Sequence, residues 1–482
     1  MSAREHGRGV GQIVRNPYTG EFDYRFEAAT SVALDTSVAA RRAAQSAWAG
    51  LDLSDRIAVL RDLAQAVRTR EAELLDALVA DTGRVHISRM EIQGLYSAID
   101  RWSALAPSAF EPDGGRSAMV ETVSFASQQV PYALVGVISP WNFPLSLATI
   151  DAIPALLAGC AVIIKPSEIT PRFARPLLAA IRAVPALADV LDIVLGDGWT
   201  GQLVVEQVDL VCFTGSIATG KKVLAACASQ FKPCFLELGG KDPAIVLAGA
   251  DLDRASTAIL RGAVVNSGQA CQSIERIYVS SAVADEFVDL MVMKANAVDL
   301  NWPDISRGIL GPIISLEQAA ILKRQLDDAV AKGGRILCGG VIEDHGGRWL
   351  RPTVVDRVSH DMLLMTEETF GPILPIMAFT STEEAIRLAN DSQYGLSGCV
   401  FAATDDEAES VGKQIMVGGV SINDASLTSL VYEAEKHAFR ESGLGGTRMG
   451  IGGIKRFFRK KAILRNSGMP FDIQQFSEHA PE

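Results

Sequence analysis

The 482-residue chain has no C-x-x-C pair, no apolar run long enough to cross a membrane, no block of like charge, no Gly/Ser linker and no repeat at a fixed period. Each absence closes off a class of protein. Seven cysteines, Cys160, Cys212, Cys227, Cys234, Cys271, Cys338 and Cys399, are an odd and scattered number, which argues against a disulfide framework or a cysteine-ligated metal and for reduced, cytosolic thiols. The longest apolar stretch, "PALLAGCAVIIKP", carries a proline at each end and reads as buried helix and sheet. The opening "MSAREHGRGVGQIVRNPYTG" lacks the apolar core of a secretory leader and makes a poor import sequence, so a cytoplasmic protein is expected. Basic residues are outnumbered, 45 against 57 acidic, for a net charge of -12. A surface built to neutralise a phosphate backbone is therefore not expected, and nucleic acid is excluded as a partner.

What is present is a globular composition, 48% hydrophobic and 21% charged, on a chain too long for one core. Two or three lobes are expected. From Ser54, "SDRIAVLRDLAQAVRTREAELLDALVADTG" places Ile57, Leu60, Leu63, Ala64 and Val67 on one face, with a polar N-cap and Gly83 near the stop, which predicts one long amphipathic helix. Beyond it the short apolar runs "ALVGVIS", "CAVIIKP", "LDIVLG", "DLVCFTGS", "DPAIVLAG" and "RIYVSS" alternate with helical patterns. Such alternation implies a mostly parallel sheet with helices on both faces, an α/β fold. A second α/β lobe starting near Pro243 is expected to hold "SLEQAAILKRQLDDAVAKGG" as helix and "GVSIND" as strand. "MVETVSFASQQVPYALVG" reads as a hairpin leading into the first sheet, and "RFFRKKAILRN" as one further strand. Either is a candidate edge for assembly.

The chemistry-bearing residues sit where these elements end. Cys271, in "NSGQACQSIERIYV", has small and polar neighbours that leave its sulfur room to meet a carbonyl, whereas a structural cysteine more often sits among aliphatics. "SPWNFP" holds Asn142 between two prolines, suiting an amide that donates to an oxyanion; a loop whose Trp141 and Phe143 merely pack is the plain alternative. "LELGGKDP" ends an apolar run on Glu237, a candidate general base, and follows it with Gly239 and Gly240, which let backbone pass close to a ligand or simply make a turn. Lys165 and Glu168 of "IIKPSE" follow a buried strand, where nucleotide riboses bind, or form a surface ion pair. If Glu168 meets the adenosine 2'-hydroxyl, like charge disfavours a 2'-phosphate, and NAD is preferred to NADP. "FTGSIATGKKV" offers Gly215, Ser216 and Gly220 at a helix start for a pyrophosphate, and "GDGWTG" matches G-x-G-x-x-G through Gly196, Gly198 and Gly201 without the usual acidic partner downstream. "EETFGPILP" puts Glu368 and Phe370 two apart, facing one way in a strand, or at the charged end of a core strand.

In this order, "PWNFP", "KPSE", "FTGS", "LELGGKDP", "GQACQS" and "EETFGP" resemble the aldehyde dehydrogenase superfamily over nearly the whole chain. The resemblance implies a Rossmann-like cofactor domain, residues 1–112 with 132–243; a catalytic α/β domain, 244–440; and a small bridging β-sheet, 113–131 with 441–482, used to assemble a homodimer or homotetramer. It also implies that Cys271 is the nucleophile, that Asn142 and the Cys271 N–H form the oxyanion hole, and that Glu237 activates water. Cofactor contacts would come from Ile138, Trp141, Lys165, Glu168, Gly198, Ser216, Gly239, Glu368 and Phe370, with no metal. Phe143, Leu147, Ile150 and Gln272 would line the substrate tunnel. With apolar tunnel residues and no arginine standing out as a carboxylate anchor, an aromatic or medium-to-long aliphatic aldehyde is expected, with a semialdehyde as the alternative. Glu237 speaks against a CoA-acylating relative, and the full set Cys271, Glu237 and Asn142 against an inert one. The segment "HAFRESGLGG" keeps Arg440, Ser442, Gly443 and Gly445 but departs from the family's glycine pair, so the analogy is weakest there.

Overall fold

The structure, a computed structural model, describes residues 11–111 and 113–478. Residues 1–10, part of the stretch read for targeting signals, lie outside the described residues, as do Pro112 and residues 479–482. Among the described residues no helix is long and apolar enough to cross a membrane.

All six apolar runs form strands, divided between two sheets. The first sheet runs, in spatial order, Gly443–Leu444, Cys234–Glu237, Leu210–Thr214, Leu134–Ile138, Ala161–Lys165, Leu191–Ile193. Its last five strands are parallel, and Gly443–Leu444 joins antiparallel beside Cys234–Glu237. The strands at 161–165 and 210–214 are buried throughout, as expected for a sheet covered by helices on both faces. Chain order reverses between Leu134–Ile138 and Leu210–Thr214, and at such a switch point the connections leave in opposite directions and open a crevice at the strand ends. The segments leaving those two ends are the Pro140–Phe143 turn and Gly215–Ser216.

The second sheet has the order Arg335–Cys338, Thr353–Asp356, Ile373–Phe379, Ile274–Ser280, Asp242–Val246, Gly398–Phe401, Val420–Ile422, with only the first of these antiparallel. Alternation along its strands serves two cores: Ala244, Val246, Ile277 and Val279 enter one, and Ile245 and Tyr278 the other. Only Leu238–Lys241 separates the strand ending at Glu237 from the one beginning at Asp242, so the two sheets meet at the glycine pair. A third, antiparallel sheet of Phe458–Asn466, Val123–Pro131 and Gly114–Arg116 stands apart from both.

Two expectations need correction. The helix from Ser54 is two helices, Leu53–Arg68 and Glu71–Thr82, preceded by Asp52 and ended by Gly83 in the left-handed region. Thr69 turns its hydroxyl back to the Ala66 carbonyl at 2.7 Å, and Arg70 leaves helical geometry. The apolar stripe continues across the break through Leu74 and Leu78, which is why periodicity hid it. The hairpin expected at 119–136 pairs differently too: Val123–Pro131 runs against Gly114–Arg116 and Phe458–Asn466, while Leu134–Ile138 passes into the first sheet.

Ser442 stitches the late segment to both sheets. Its carbonyl accepts from Leu238 N–H at 2.9 Å, and its hydroxyl donates to the Gly239 carbonyl at 2.7 Å and accepts from Gly395 N–H at 2.9 Å. Ser442→Ala leaves the last two groups buried without that partner, and is expected to cost about 2–4 kcal/mol in unfolding stability, read as a lower urea midpoint at unchanged slope.

Candidate active site

The loop bearing Cys271 is bent by three successive left-handed residues, Asn266 at φ +58°, Ser267 at +56° and Gly268 at +71°. Side-chain bonds hold this costly conformation in place. Asn266 Nδ2 donates to the Gln269 carbonyl at 2.9 Å and the Asn142 carbonyl at 3.1 Å, and Ser267 Oγ donates to the Gly311 carbonyl at 2.8 Å. Gln269, fully buried, donates through Nε2 to the Asn266 and Pro312 carbonyls and accepts at Oε1 from Ile314 N–H at 2.9 Å. A Cβ on Gly268 would fall 2.2 Å from the Gly371 carbonyl carbon, so the loop packs directly against the "FGP" turn.

Asn142 belongs to the same construction. Its buried amide donates to the Gln269 carbonyl at 3.0 Å, and its own carbonyl accepts from Arg84 at 3.0 Å. One of two amide N–H groups is thereby spent on orientation, and the other stays available for a second acceptor. The helix Pro144–Thr149 that follows is capped by Glu91, whose Oε2 accepts from Leu145 and Ser146 N–H, each at 3.0 Å. The position of Asn142 is thus determined from both sides.

The glycine pair packs two further residues against this centre. A Cβ on Gly240 would lie 2.2 Å from the Cys271 carbonyl oxygen, and one on Gly239 would lie 2.4 Å from Glu368 Oε2. Gly240 N–H donates to Glu368 Oε1 at 3.2 Å. Below it, the fully buried Lys241 donates to Glu275 at 2.9 Å, and Glu275 in turn accepts from Thr369 and Phe370 N–H, both at 2.7 Å. This carboxylate supports Phe370 in a left-handed conformation, φ +52°.

Two cavities meet at Cys271. One is lined by Trp141, Asn142, Ser216, Gly239, Glu368 and Phe370, with the Trp141 and Phe370 rings edge to face at 5.3 Å. The other is lined by Ile150, Gln272, Leu396, Lys436, Arg448 and Met449 among others. Leu147, Thr214, Glu237 and Cys271 border both. Burial, then the neighbouring charge of Glu237, pushes the Cys271 thiol up to about 12, against an opposing pull from Lys436. Burial and Glu275 likewise push Glu368 up to about 8.

Of the residues singled out in the sequence, Cys271, Glu237, Asn142, Trp141, Ser216, Gly239, Glu368, Phe370, Leu147, Ile150 and Gln272 converge on these cavities. Others do not line them. Ile138 and Lys165 sit opposite each other at the ends of adjacent parallel strands, and Lys165 Nζ donates to Glu168 at 3.0 Å, further along the same edge. Phe143 packs under the Arg84 guanidinium, 5.9 Å from its ring, rather than in the tunnel cavity. Gly198 opens the helix Gly198–Gln207, whose N-terminal N–H groups at Trp199 and Thr200 already donate to Asp197. A carboxylate stands where the G-x-G-x-x-G reading puts a phosphate. By contrast the helix Ile217–Ala228 has Ser216 as its cap and no acid in its first turn. Gly220, read as a donor, instead makes room for Leu238, 2.6 Å from where its Cβ would be.

Several supporting residues escaped the sequence reading. Gln269, Glu275, Lys241 and Arg84 act through partners far along the chain, and nothing local marks them. No arginine stands out in the sequence as a carboxylate anchor, but Arg448 and also Lys436 line the second cavity. Arg448 is engaged by Asp151 and Thr214, whereas Lys436 Nζ, shielded from solvent, has no hydrogen-bond partner among the described residues.

Comparison with known proteins identifies the family. Residues 6–463 match the model of the aldehyde dehydrogenase family. A Mycolicibacterium smegmatis protein assigned as an NADP+-linked succinate-semialdehyde dehydrogenase is 33% identical over 95% of this chain and 89% of its own. The solved structure of PutA from Anabaena variabilis, named for the same family, superposes with a TM-score of 0.94 at 50% identity, covering 96% of this chain and 99% of that one. Betaine aldehyde dehydrogenase from Staphylococcus aureus, solved in complex with NAD+, gives 0.90 at 29% identity over 99% of this chain and 94% of its own. With the family's model spanning nearly its full length and its fold reproduced closely, the chain belongs to the aldehyde dehydrogenase family, oxidoreductases that act on aldehydes.

Proposed function

We propose that the chain oxidises an aldehyde to the carboxylic acid with NAD, through a thiohemiacetal and then a thioester on Cys271. The observation that carries this reading is that Cys271 and Glu237 border both cavities, so that one sulfur faces a substrate from one side and a cofactor from the other. Attack begins as the thiol gives its proton up to solvent and its sulfur forms a bond to the carbonyl carbon. The carbonyl oxygen becomes an oxyanion, received by the free amide N–H of Asn142 and the Cys271 N–H. The Trp141 cavity would hold a nicotinamide dinucleotide, which would supply the acceptor for the hydride whose loss turns the thiohemiacetal into a thioester. Glu237 then takes a proton from water as its oxygen adds to the thioester carbon, and the carbon–sulfur bond breaks to return the thiol.

The residues of the first cavity fit such a cofactor. The cavity opens at the carboxyl ends of parallel strands, beside a twelve-residue helix whose first turn carries no acid. Ser216 would meet the pyrophosphate, Glu368 a ribose, and Phe370 and Trp141 would wall the ring, with Ile138, Lys165 and Glu168 along the adenosine end. Like charge at Glu168 supports NAD over NADP, although a relative is named for NADP+. The carboxylate cap of Asp197 weighs against direct phosphate contact at Gly198. Leu147, Ile150, Leu396 and Met449 support an aldehyde with an aromatic or medium-to-long aliphatic body. Glu237 supports hydrolysis over transfer to CoA.

The domain division 1–112 with 132–243, 244–440, and 113–131 with 441–482 is kept as part of this proposal, with one refinement: Gly443–Leu444 lies in the first sheet. Ile463 and Leu464 stand exposed on Phe458–Asn466, an edge strand, which supports assembly into a homodimer or homotetramer. A cytoplasmic enzyme remains the expectation.

Purified protein with NAD is expected to produce NADH and free acid from an aldehyde without CoA, and no NADH with any of a broad panel contradicts the proposal. Cys271→Ala should abolish NADH formation while the dissociation constant for NAD stays within about threefold. Glu237→Gln should release one NADH per site and then stall at the thioester; a wild-type steady-state rate would mean that another group activates water. Because a thiol near 12 is almost wholly protonated at neutral pH, alkylation of Cys271 by iodoacetamide in the free protein should rise about tenfold per pH unit from pH 7 to 10, followed by peptide mass spectrometry. A plateau below pH 8 would show a resting thiolate instead.

A further inference from the structure

Lys436 is a basic residue whose charge acts on Cys271 and Asp242 but which is bonded to neither. Its Nζ is shielded from solvent, makes no hydrogen bond and enters no ion pair among the described residues. An ammonium taken from water without a partner is costly, and proteins seldom bury one without an anion to receive it. The side chain is also not placed there by accident of a loose segment. Lys436 N–H donates to Thr447 Oγ1 at 3.2 Å, and the adjacent Glu435 accepts from Gly452 N–H at 2.6 Å. Its stem lies along Gly419, where an added Cβ would sit 3.5 Å from Lys436 Cδ.

The cavity around it distinguishes the charges by position. Glu237 and Cys271 border both cavities, at their junction, whereas Lys436 borders only the cavity away from Trp141 and Phe370. Arg448 also borders that cavity, but Asp151 takes its charge through two bonds, at 3.2 and 2.7 Å. Gln272 is held by Thr428 through its amide oxygen and therefore presents its amide N–H2, another donor group. The remaining walls of this cavity include Leu147, Ile150, Leu396 and Met449, all apolar.

Resting on the proposed aldehyde oxidation, we infer that the preferred substrate carries a carboxylate at the end remote from its aldehyde, and that Lys436 is the residue that receives it. An apolar body then spans the space between sulfur and ammonium. The anion meets an ammonium that is otherwise unbonded, so the pairing discriminates: a neutral aldehyde of the same length leaves the ammonium as it is. The product is a dicarboxylate, and the reaction that supplies the substrate must generate an aldehyde on a carbon skeleton already bearing an acid.

The test compares matched pairs, 4-carboxybenzaldehyde with benzaldehyde and 5-oxopentanoate with pentanal, in wild type, Lys436→Met and Lys436→Arg. In wild type kcat/KM for the acid of at least one pair should exceed that for its neutral counterpart by about tenfold or more, through KM. Lys436→Met should remove that ratio, and Lys436→Arg should keep most of it. Because the readout is a ratio within one protein, a poorly folded variant does not imitate the effect, and the wild-type preference stands without any variant. Neutral aldehydes oxidised as well as their acids in wild type overturn the inference while leaving the oxidation intact. So does a Lys436→Met enzyme slowed equally on both members of each pair, since that marks Lys436 as an influence on the thiol. Failure to oxidise any aldehyde removes the reading on which the inference rests.

Discussion

The close passage of backbone at Gly239 and Gly240 is the constraint on which the rest of the site depends. Here the chain leaves one parallel sheet at Glu237 and enters another at Asp242, and the only free space lies between the Cys271 carbonyl on one side and the Glu368 carboxylate on the other. A Cβ at Gly240 would run into the Cys271 carbonyl oxygen, and one at Gly239 would displace the Glu368 carboxylate. Because the passage is so tight, the end of one sheet, the thiol loop and the "EETFGP" turn cannot move independently. Three of the groups given roles in the proposed chemistry, Glu237, Cys271 and Glu368, are coupled through this passage rather than by direct bonds between them.

A second feature is the use of buried polar groups as braces. Glu275 gathers Lys241 and two backbone N–H groups and so holds Phe370 in a conformation that it would not choose alone. Gln269 does the same for the strained turn before Cys271, using every direction its amide offers toward Asn266, Pro312 and Ile314. Asn142 is reached from Gln269, 127 positions away, and from Arg84, 58 away. Polar groups satisfied in this way stiffen a site, since releasing any one leaves another buried and unpaired. Lys436, unbonded beside the adjoining cavity, differs from these braces.

Much of the fold was legible without coordinates, because burial and backbone preference act between near neighbours. Buried parallel strands announce themselves as uninterrupted apolar runs, and the six runs are all strands. The residues given chemical roles sit at strand ends and turns, where glycine and proline mark them, so "PWNFP", "LELGG" and "GQACQS" could be read as a set. Local pattern misled where it was blind to geometry. A stripe of leucines continued across the helix break at Thr69 and Arg70, and "GDGWTG" fitted a phosphate motif while its own Asp197 occupied the helix end.

Folding alone decided which distant groups would share a cavity. That Arg448 meets a carboxylate and Lys436 does not, that Glu275 lies beneath Phe370, and how the two sheets face each other depend on contacts between residues far apart in the chain. Spacing carries no record of these, because a charge has the same letter whether it is paired in the core, solvated at the surface or left alone beside a sulfur. The chain's order of motifs therefore determined its family and marked the residues proposed for its chemistry, and three-dimensional packing determined which charges remain unpaired.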